Sequence, residues 1–274
     1  MITIKNLSFR YEKVKIFDGF NLHIPGGQSC LVTGINGVGK STLLRLIAGV
    51  LEADEGGIIF SPKMGEVPKR KIGFISDKLS IYESLSVARG IELHQSVYGG
   101  STFDDSLIKH TKIRREQKIK ELSIGQRTIL HLSLVLSADP ELLLIDEIIH
   151  SMDAYLRKFF LEQLIELLAR RRVTLIMVNV NFHDIEHMVD RVILLKDGKI
   201  AVDEAIDDLK DKVKKVVCRH PLEKLPVLSQ SGHPDRPDYF VYPFKEEYRQ
   251  QIDGEVIDLN LTEIVTAFIG GEYA

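Results

Sequence analysis

The chain has 274 residues, 44% of them hydrophobic and 27% charged, an ordinary globular balance with enough length for one large domain or two modest ones. A formal net charge of -3 gives no electrostatic reason to expect nucleic acid as a partner, and two distant cysteines, Cys30 and Cys218, exclude a disulfide framework and fit a reducing cytoplasm. The start, Met1-Ile2-Thr3-Ile4-Lys5, lacks the marks of a signal peptide, and no uncharged apolar run approaches the ~20 residues that span a bilayer, so any membrane role is expected from the water side.

Residues 1 to 33 alternate as β-structure does, through Ile2, Ile4, Leu7 and Phe9, then Phe17, Phe20, Leu22 and Ile24, with Pro25-Gly26-Gly27 as a turn. Tyr11 is expected in the loop between two strands, either packing at a strand end or presenting a ring on which an adenine could stack. The apolar stretch Ser29 to Thr33 then feeds Gly34-Ile35-Asn36-Gly37-Val38-Gly39-Lys40-Ser41-Thr42, and a helical pattern follows from Leu43 to Ala48. This is the spacing G-x-x-x-x-G-K-[ST] between a strand and a helix, the context a phosphate-binding loop requires. Its glycines let backbone N–H groups from Gly37 to Thr42 converge on an anion at the helix N-terminus. Lys40 is placed to reach β- and γ-phosphates, and the Ser41 hydroxyl to ligate Mg²⁺.

Further strands are expected at Gly57 to Phe60 and Ile72 to Ile75, and a helix from Ser84 to about Tyr98. The basic stretch Lys109 to Lys120 reads as a solvated helical face rather than a polyanion site. Leu122-Ser123-Ile124-Gly125-Gln126 opens a helix that ends at Asp139-Pro140. Leu142 to Ile145 is a fully apolar run ending in Asp146-Glu147. Such a run suits a strand of a buried parallel sheet, with the two acids at the carboxyl end where open α/β sheets bind ligands. An amphipathic helix over 154 to 169 is closed by Arg170-Arg171-Arg172, a charge placement that complements a helix C-terminus. Val173 to Val178 reads as a strand, Asp184 to Val189 as a helix, and Val192 to Leu195 as a strand before the turn Asp197-Gly198-Lys199. Strand and helix alternate through this half, which argues for a parallel sheet.

Composition shifts near residue 205. Val216 to Cys218 is strand-like, and His220 to Pro237 has the Pro, Ser, Gly and Asp content of a loop. Tyr239 to Tyr242 and Glu255 to Asp258 read as strands, and Thr262 to Phe268 as a closing helix.

Taken in order, the phosphate loop, Leu122-Ser123-Ile124-Gly125-Gln126 and the strand ending Asp146-Glu147 resemble the motif set of ATP-binding cassette (ABC) ATPases, over roughly residues 1 to 204. The resemblance implies an α/β P-loop NTPase core with an antiparallel β-subdomain and a helical subdomain at about 78 to 138. A small α+β accessory domain over 205 to 274 completes the fold. Nucleotide-binding positions would be Tyr11 on the adenine and Gly34, Asn36, Gly37, Val38, Gly39, Lys40, Ser41 and Thr42 on the phosphates. Ser41, Asp146 and, through water, Asp77 would serve Mg²⁺, and Glu147 would be the general base. Ser123, Gly125 and Gln126 fit the signature loop that completes the ATP site of an opposite subunit, and Ser151-Met152-Asp153 fits the D-loop. One cassette cannot then close a site alone, so a head-to-tail dimer is expected, with an identical chain or a paralogue.

Three positions depart from the family pattern. Ile124 replaces the first signature glycine, Asp77 stands where glutamine is usual, and Val180 falls at the place of a switch histidine. Valine can neither donate to nor accept from a γ-phosphate. Asn179 and Asn181 are the adjacent donors able to stand in, while His183 reads as a surface residue at a helix start. Slow or degenerate hydrolysis is therefore expected. The segments Ser80 to Val87 and Asp258 to Gly271 resemble ATPase subunits of exporter-type ABC systems. That resemblance implies a peripheral subunit on the inner membrane face, serving a separate permease that docks near Asp77 to Tyr98. A soluble ABC ATPase acting on a macromolecular assembly, or as a regulator, is the alternative.

Overall fold

The computed structural model describes every residue except 77–82, 99–102, 104, 171–172, 180–181, 219, 221, 223, 234–235 and 271–274. Contacts divide the chain into two compact units, Met1–Cys30 with Gly39–Asn179, and Leu31–Val38 with Val180–Ala274.

The chain opens with β1 (Ile2–Tyr11), β2 (Val14–Ile24), β3 (Ser29–Gly34), α1 (Lys40–Ile47) and β4 (Glu55–Phe60). In the first unit β1 is the centre of an antiparallel sheet ordered β2-β1-β4. The alternating apolar residues face one way: Ile4 lies opposite Leu22, Leu7 opposite Phe20 and Phe9 opposite Phe17, all buried. Such directly opposed pairs are what stabilises an antiparallel ladder. Tyr11 is not in a loop; it is the last residue of β1, opposite Val14. The turn needs only Glu12 and Lys13 because Glu12 takes a left-handed backbone at φ 49°.

β5 (Ile72–Ser76), α2 (Val87–Tyr98), α3 (Ser106–Lys109) and α4 (Ile124–Ser137) come next, then β6 (Leu142–Asp146), α5 (Ala154–Arg170) and β7 (Thr174–Val178). β5, β6 and β7 run parallel, with Ser76, Asp146 and Val178 in register at their carboxyl ends. Every residue of β6 and β7 is buried, as their unbroken apolar runs require.

Around α2 and α4 a separate core gathers Val87, Ile91, Ile108, Ile113, Ile119 and Leu130. Residues 109 to 120 are not a helix. α3 ends at Lys109, Lys112 has φ 59°, and only a 3-10 turn at Ile119–Glu121 follows. Burying Ile108, Ile113 and Ile119, spaced by five and six, is incompatible with one helical face. The chain instead runs beside the start of α2, where Val87 N–H donates to Gln117 O at 2.9 Å and Ile119 N–H to Leu85 O at 2.9 Å.

The second unit continues with β8 (Arg191–Lys196), β9 (Lys199–Ala205), α6 (Ile206–Lys212), β10 (Lys214–Cys218), β11 (Val227–His233), β12 (Arg236–Val241), β13 (Gly254–Asp258) and α7 (Leu261–Ile269). β8 and β9 form a hairpin through Asp197 and Gly198, both at positive φ, the backbone that two-residue hairpins favour. The helix expected over Asp184 to Val189 shrinks to a 3-10 turn at Glu186–Met188, since six residues do not offset the cost of helix nucleation. The C-terminal sheet is ordered β11-β12-β10-β13. β11 lies inside the stretch read as a loop; its sequence is polar, and ladder pairing with β12 holds it. Val216, Cys218, Tyr239, Val241 and Phe244 form its core.

α7 is closed at both ends. Asn260 Oδ1 accepts from Glu263 N–H at 3.0 Å, Asn260 N–H donates to Glu263 Oε2 at 2.9 Å, and Gly270 ends it in a left-handed turn. Cys30 and Cys218 are both buried free thiols. Among the described residues no helix is long and apolar enough to cross a membrane.

Candidate functional site

The glycine loop leaves β3 at Gly34 and enters α1 at Lys40. Gly34 has φ 140°, and a Cβ there would stand 2.3 Å from Leu195 O. Gly39, the residue before α1, has φ 111°, and its Cβ would come 2.7 Å from Ile16 and 2.9 Å from Phe17. Neither position admits a side chain. Between them Val38 is buried, Asn36 and Gly37 are exposed, and Val38 N–H donates to Ile35 O at 3.3 Å. Thr42 is buried in the first turn of α1.

In the first unit four polar groups meet. Ser41 Oγ donates to Asp146 Oδ1 at 2.8 Å, and Lys40 Nζ lies 3.6 Å from Glu147 Oε1. Asp146 owes its place to the last position of buried β6, and Glu147 to the bend that follows. That bend is specific: Glu147 has φ 47°, an uncommon left-handed backbone for this residue type, and its N–H donates to Val178 O at 3.0 Å. The side chain of Lys40 is 4% exposed. Burial pushes its pKa down, and the carboxylates of Glu147 and Asp146 pull it back up.

One hydroxyl and one carboxylate oxygen, side by side, form a hard donor set. Among the described residues no cluster of three His, Cys, Asp or Glu could hold a metal alone. The Ser41 hydroxyl and Asp146 carboxylate are donor types that suit Mg²⁺, which takes one or two protein oxygens and fills the rest of its octahedron with water and phosphate.

The other expected site residues are placed elsewhere. Tyr11 is exposed at the tip of β1, its ring edge-on to Phe9 at 4.9 Å. Ser123 caps α4: its Oγ accepts from Gln126 N–H at 3.2 Å, and its N–H donates to Gln126 Oε1 at 3.0 Å. Gln126 Nε2 also donates to Thr111 O at 3.0 Å. Gly125 is buried where α4 meets α5, a Cβ there falling 2.5 Å from Leu156 Cδ1. Ile124 stands exposed at the start of that helix. Asp153 Oδ1 accepts from Leu156 N–H at 3.0 Å, capping α5. Asp77, Val180 and Asn181 lie outside the described residues. Asn179 is buried directly after β7.

One brace was not legible in the sequence. Arg127 donates to Leu122 O at 3.1 Å, to Lys120 O at 3.2 Å and to Glu83 Oε1 at 2.7 Å, tying down the segment that carries Ser123. A single arginine after Gln126 gives no pattern from which this could be read.

A strand, a glycine loop, a helix, and a carboxylate at the end of a parallel strand beside the loop's serine define a P-loop nucleoside triphosphatase. A family model described as ABC transporter matches residues 17–150. The thiamine import ATP-binding protein ThiQ of Photorhabdus laumondii subsp. laumondii is 30% identical over 213 residues, 74% of this chain and 90% of ThiQ. The ABC transporter ATP-binding protein YtrB of Bacillus subtilis is 26% identical over 290 residues, 99% of each chain. Among solved structures, the dimeric cassette MJ0796 matches with a TM-score of 0.64 at 22% identity, covering 75% of this chain and 99% of that one. The chain belongs to the ABC transporter ATP-binding family, whose members hydrolyse ATP.

Proposed function

We propose that this chain is the motor subunit of an ABC transporter, working as a head-to-tail dimer on a separate membrane permease from the cytoplasmic face. The observation that carries this reading is the meeting of Lys40 with Glu147 at 3.6 Å and Ser41 with Asp146 at 2.8 Å. Phosphoryl transfer asks little covalent work of a protein, so positioning and charge neutralisation dominate. The amides from Gly37 to Thr42 cradle the phosphates, Gly34 and Asn36 shape the loop, and Lys40 neutralises the β- and γ-oxygens. Ser41 and Asp146 would hold Mg²⁺, with Asp77 in the outer shell. When bound, Mg²⁺ adds charge neutralisation on the same oxygens. Glu147 orients and deprotonates the attacking water, and Tyr11 stacks on the adenine. Ser123, Gly125 and Gln126 of the opposite subunit complete each site, so two ATP molecules close the dimer and hydrolysis opens it.

Residues 1–204 are read as the ATPase domain and 205–274 as an accessory domain. Relatives aligned over about three quarters of this chain include import proteins by name, for thiamine and for zinc. YtrB aligns along 99% of the chain, appendage included, and its name gives no direction. Export is supported by the resemblance of the closing segment, Asp258 to Gly271, to exporter-type subunits. Val180 leaves the γ-phosphate without the family's switch histidine, and slow turnover follows.

The test is Glu147→Gln with ATP, alongside native purification. A dimer trapped with ATP and recovery with a polytopic membrane protein are expected. Unchanged turnover would remove Glu147 as the base, and recovery only in soluble complexes would identify a permease-free ABC ATPase instead.

A further inference from the structure

α7 has two apolar faces. Leu261, Ile264 and Phe268, at i, i+3 and i+7, are buried in the second unit, with Phe268 edge-on to Tyr242 at 4.9 Å. The second stripe, Thr262, Val265, Thr266 and Ile269, has the spacing i, i+3, i+4 and i+7. It forms one wall of a cleft of about 300 Å³. The facing wall belongs to the end of β3 and the start of the glycine loop, Thr33, Gly34 and Asn36, with Phe182 closing one side. All of these residues lie within the second unit.

We propose that this cleft is a binding site for a compact, uncharged, mostly apolar molecule of one or two rings, and that its occupancy is coupled to nucleotide binding. The volume is at the lower end of the range for small-molecule pockets, which sets the size. Among the described residues that line it none is charged, so a phosphate or carboxylate ligand would be desolvated there without a partner. Val265, Ile269 and Phe182 supply the apolar contact. Of the polar lining residues Asn36, Thr262 and Thr266 are exposed and Thr33 is buried, and one has a defined sense. Thr266 Oγ1 donates to Thr262 O at 2.8 Å, which leaves the Thr266 oxygen to accept. The ligand therefore carries an N–H or O–H donor.

The coupling follows from what the cleft touches. Gly34 packs closely on Leu195, its would-be Cβ lying 2.3 Å from Leu195 O, so the loop's root meets β8. A ligand packed on this root favours some loop arrangements over others. By linkage, nucleotide must then shift the ligand's affinity by the same factor. This second statement rests on the nucleotide-binding reading above; the first does not.

The probe is 5-fluoroindole, followed by fluorine NMR on the full chain. The cleft is blocked from its exposed rim by Thr266→Trp and, independently, by Thr262→Trp, with thermal melting to verify folding. Saturable binding with a dissociation constant of about 1 mM or tighter is expected, at least about tenfold weaker in each variant. Saturating probe should move the affinity for AMP-PNP by about fivefold, and AMP-PNP should move the probe's affinity equally. No saturation, or equal binding by wild type and both folded variants, overturns the site. An unmoved AMP-PNP affinity with probe bound overturns the coupling. Failure of AMP-PNP to bind at all would refute the nucleotide reading alone, because probe binding is measured without it.

Discussion

The ammonium of Lys40, buried to 4% exposure, faces the Glu147 carboxylate at 3.6 Å, and the two come from opposite ends of the motif set, the glycine loop and the strand end. The Glu147 carboxylate favours the charged form of Lys40. Burial favours neutral Lys40, and the neighbouring carboxylates oppose it, at the point of the loop where a triphosphate would lie. This pairing separates what Lys40 does for binding from what it does for folding.

Lys40→Met should weaken AMP-PNP binding by about 10- to 150-fold. That is the loss of one charged hydrogen bond, about 1.5–3 kcal/mol, read by isothermal titration. Folding stability should hold or rise, because a desolvated ammonium gives way to an apolar chain of similar length. Glu147 keeps 39% exposure and so retains water as a partner. A collapse of the urea midpoint together with binding would contradict this separation.

Gly39→Ala should reduce both stability and nucleotide affinity. At φ 111°, with Ile16 2.7 Å from the new Cβ, an L-residue costs about 1–3 kcal/mol of backbone strain. Denaturant unfolding measures that loss, and a midpoint equal to wild type would show that the loop is free to relax.

Val180→His should accelerate steady-state ATP hydrolysis by about tenfold or more, a supplied acid–base group typically contributing ~10²–10⁴. A brisk wild-type rate left unchanged by the substitution would mean that another group already meets the γ-phosphate.

The helical region carries a pH dependence of its own. The Nδ1 atoms of His94 and His131 are buried without a hydrogen-bond partner, and His94 stacks on Tyr98 at 4.5 Å. Burial, with the nearby His94 imidazole second, lowers the pKa of His131 from 6.5 to about 4, and burial lowers that of His94. The unfolded chain binds the proton more readily, so the contribution of these two groups to stability levels off as pH rises past 6.5 and is lost as pH drops from 6.5 toward 4. His131 accounts for about 3 kcal/mol of that fall. Urea midpoints across this window should be visibly flatter for His131→Phe, and an identical slope would rule out His131 as the cause.

Much of the site could be read before the structure because its residues are dictated by local rules. Gly34 and Gly39 mark backbone that only glycine adopts, and Leu142 to Ile145 has no polar atom to place outside a buried parallel strand. Residues 109 to 120 misled because their charges are periodic enough for a helix, while Ile108, Ile113 and Ile119 answer to a core assembled from distant segments. β11 was hidden for the opposite reason: Ser229, Gln230 and Ser231 carry no apolar alternation, and only the partner strand gives them order. The meeting of Lys40 with Glu147 depends on the left-handed bend at Glu147, which no composition or period announces.

The capping box of Ser123 and Gln126, the clamp of Leu195 O on Gly34, and the packing of Leu156 on Gly125 have a shared consequence for ancestry. Each gives a motif residue a capping or packing task inside its own chain. A descendant that had lost ATP hydrolysis would still be selected to keep these letters, because discarding them would damage the fold. If the Lys40→Met variant keeps its stability, erosion would show first at Lys40 and Glu147, and those two positions are where a living enzyme and its silent relatives would part.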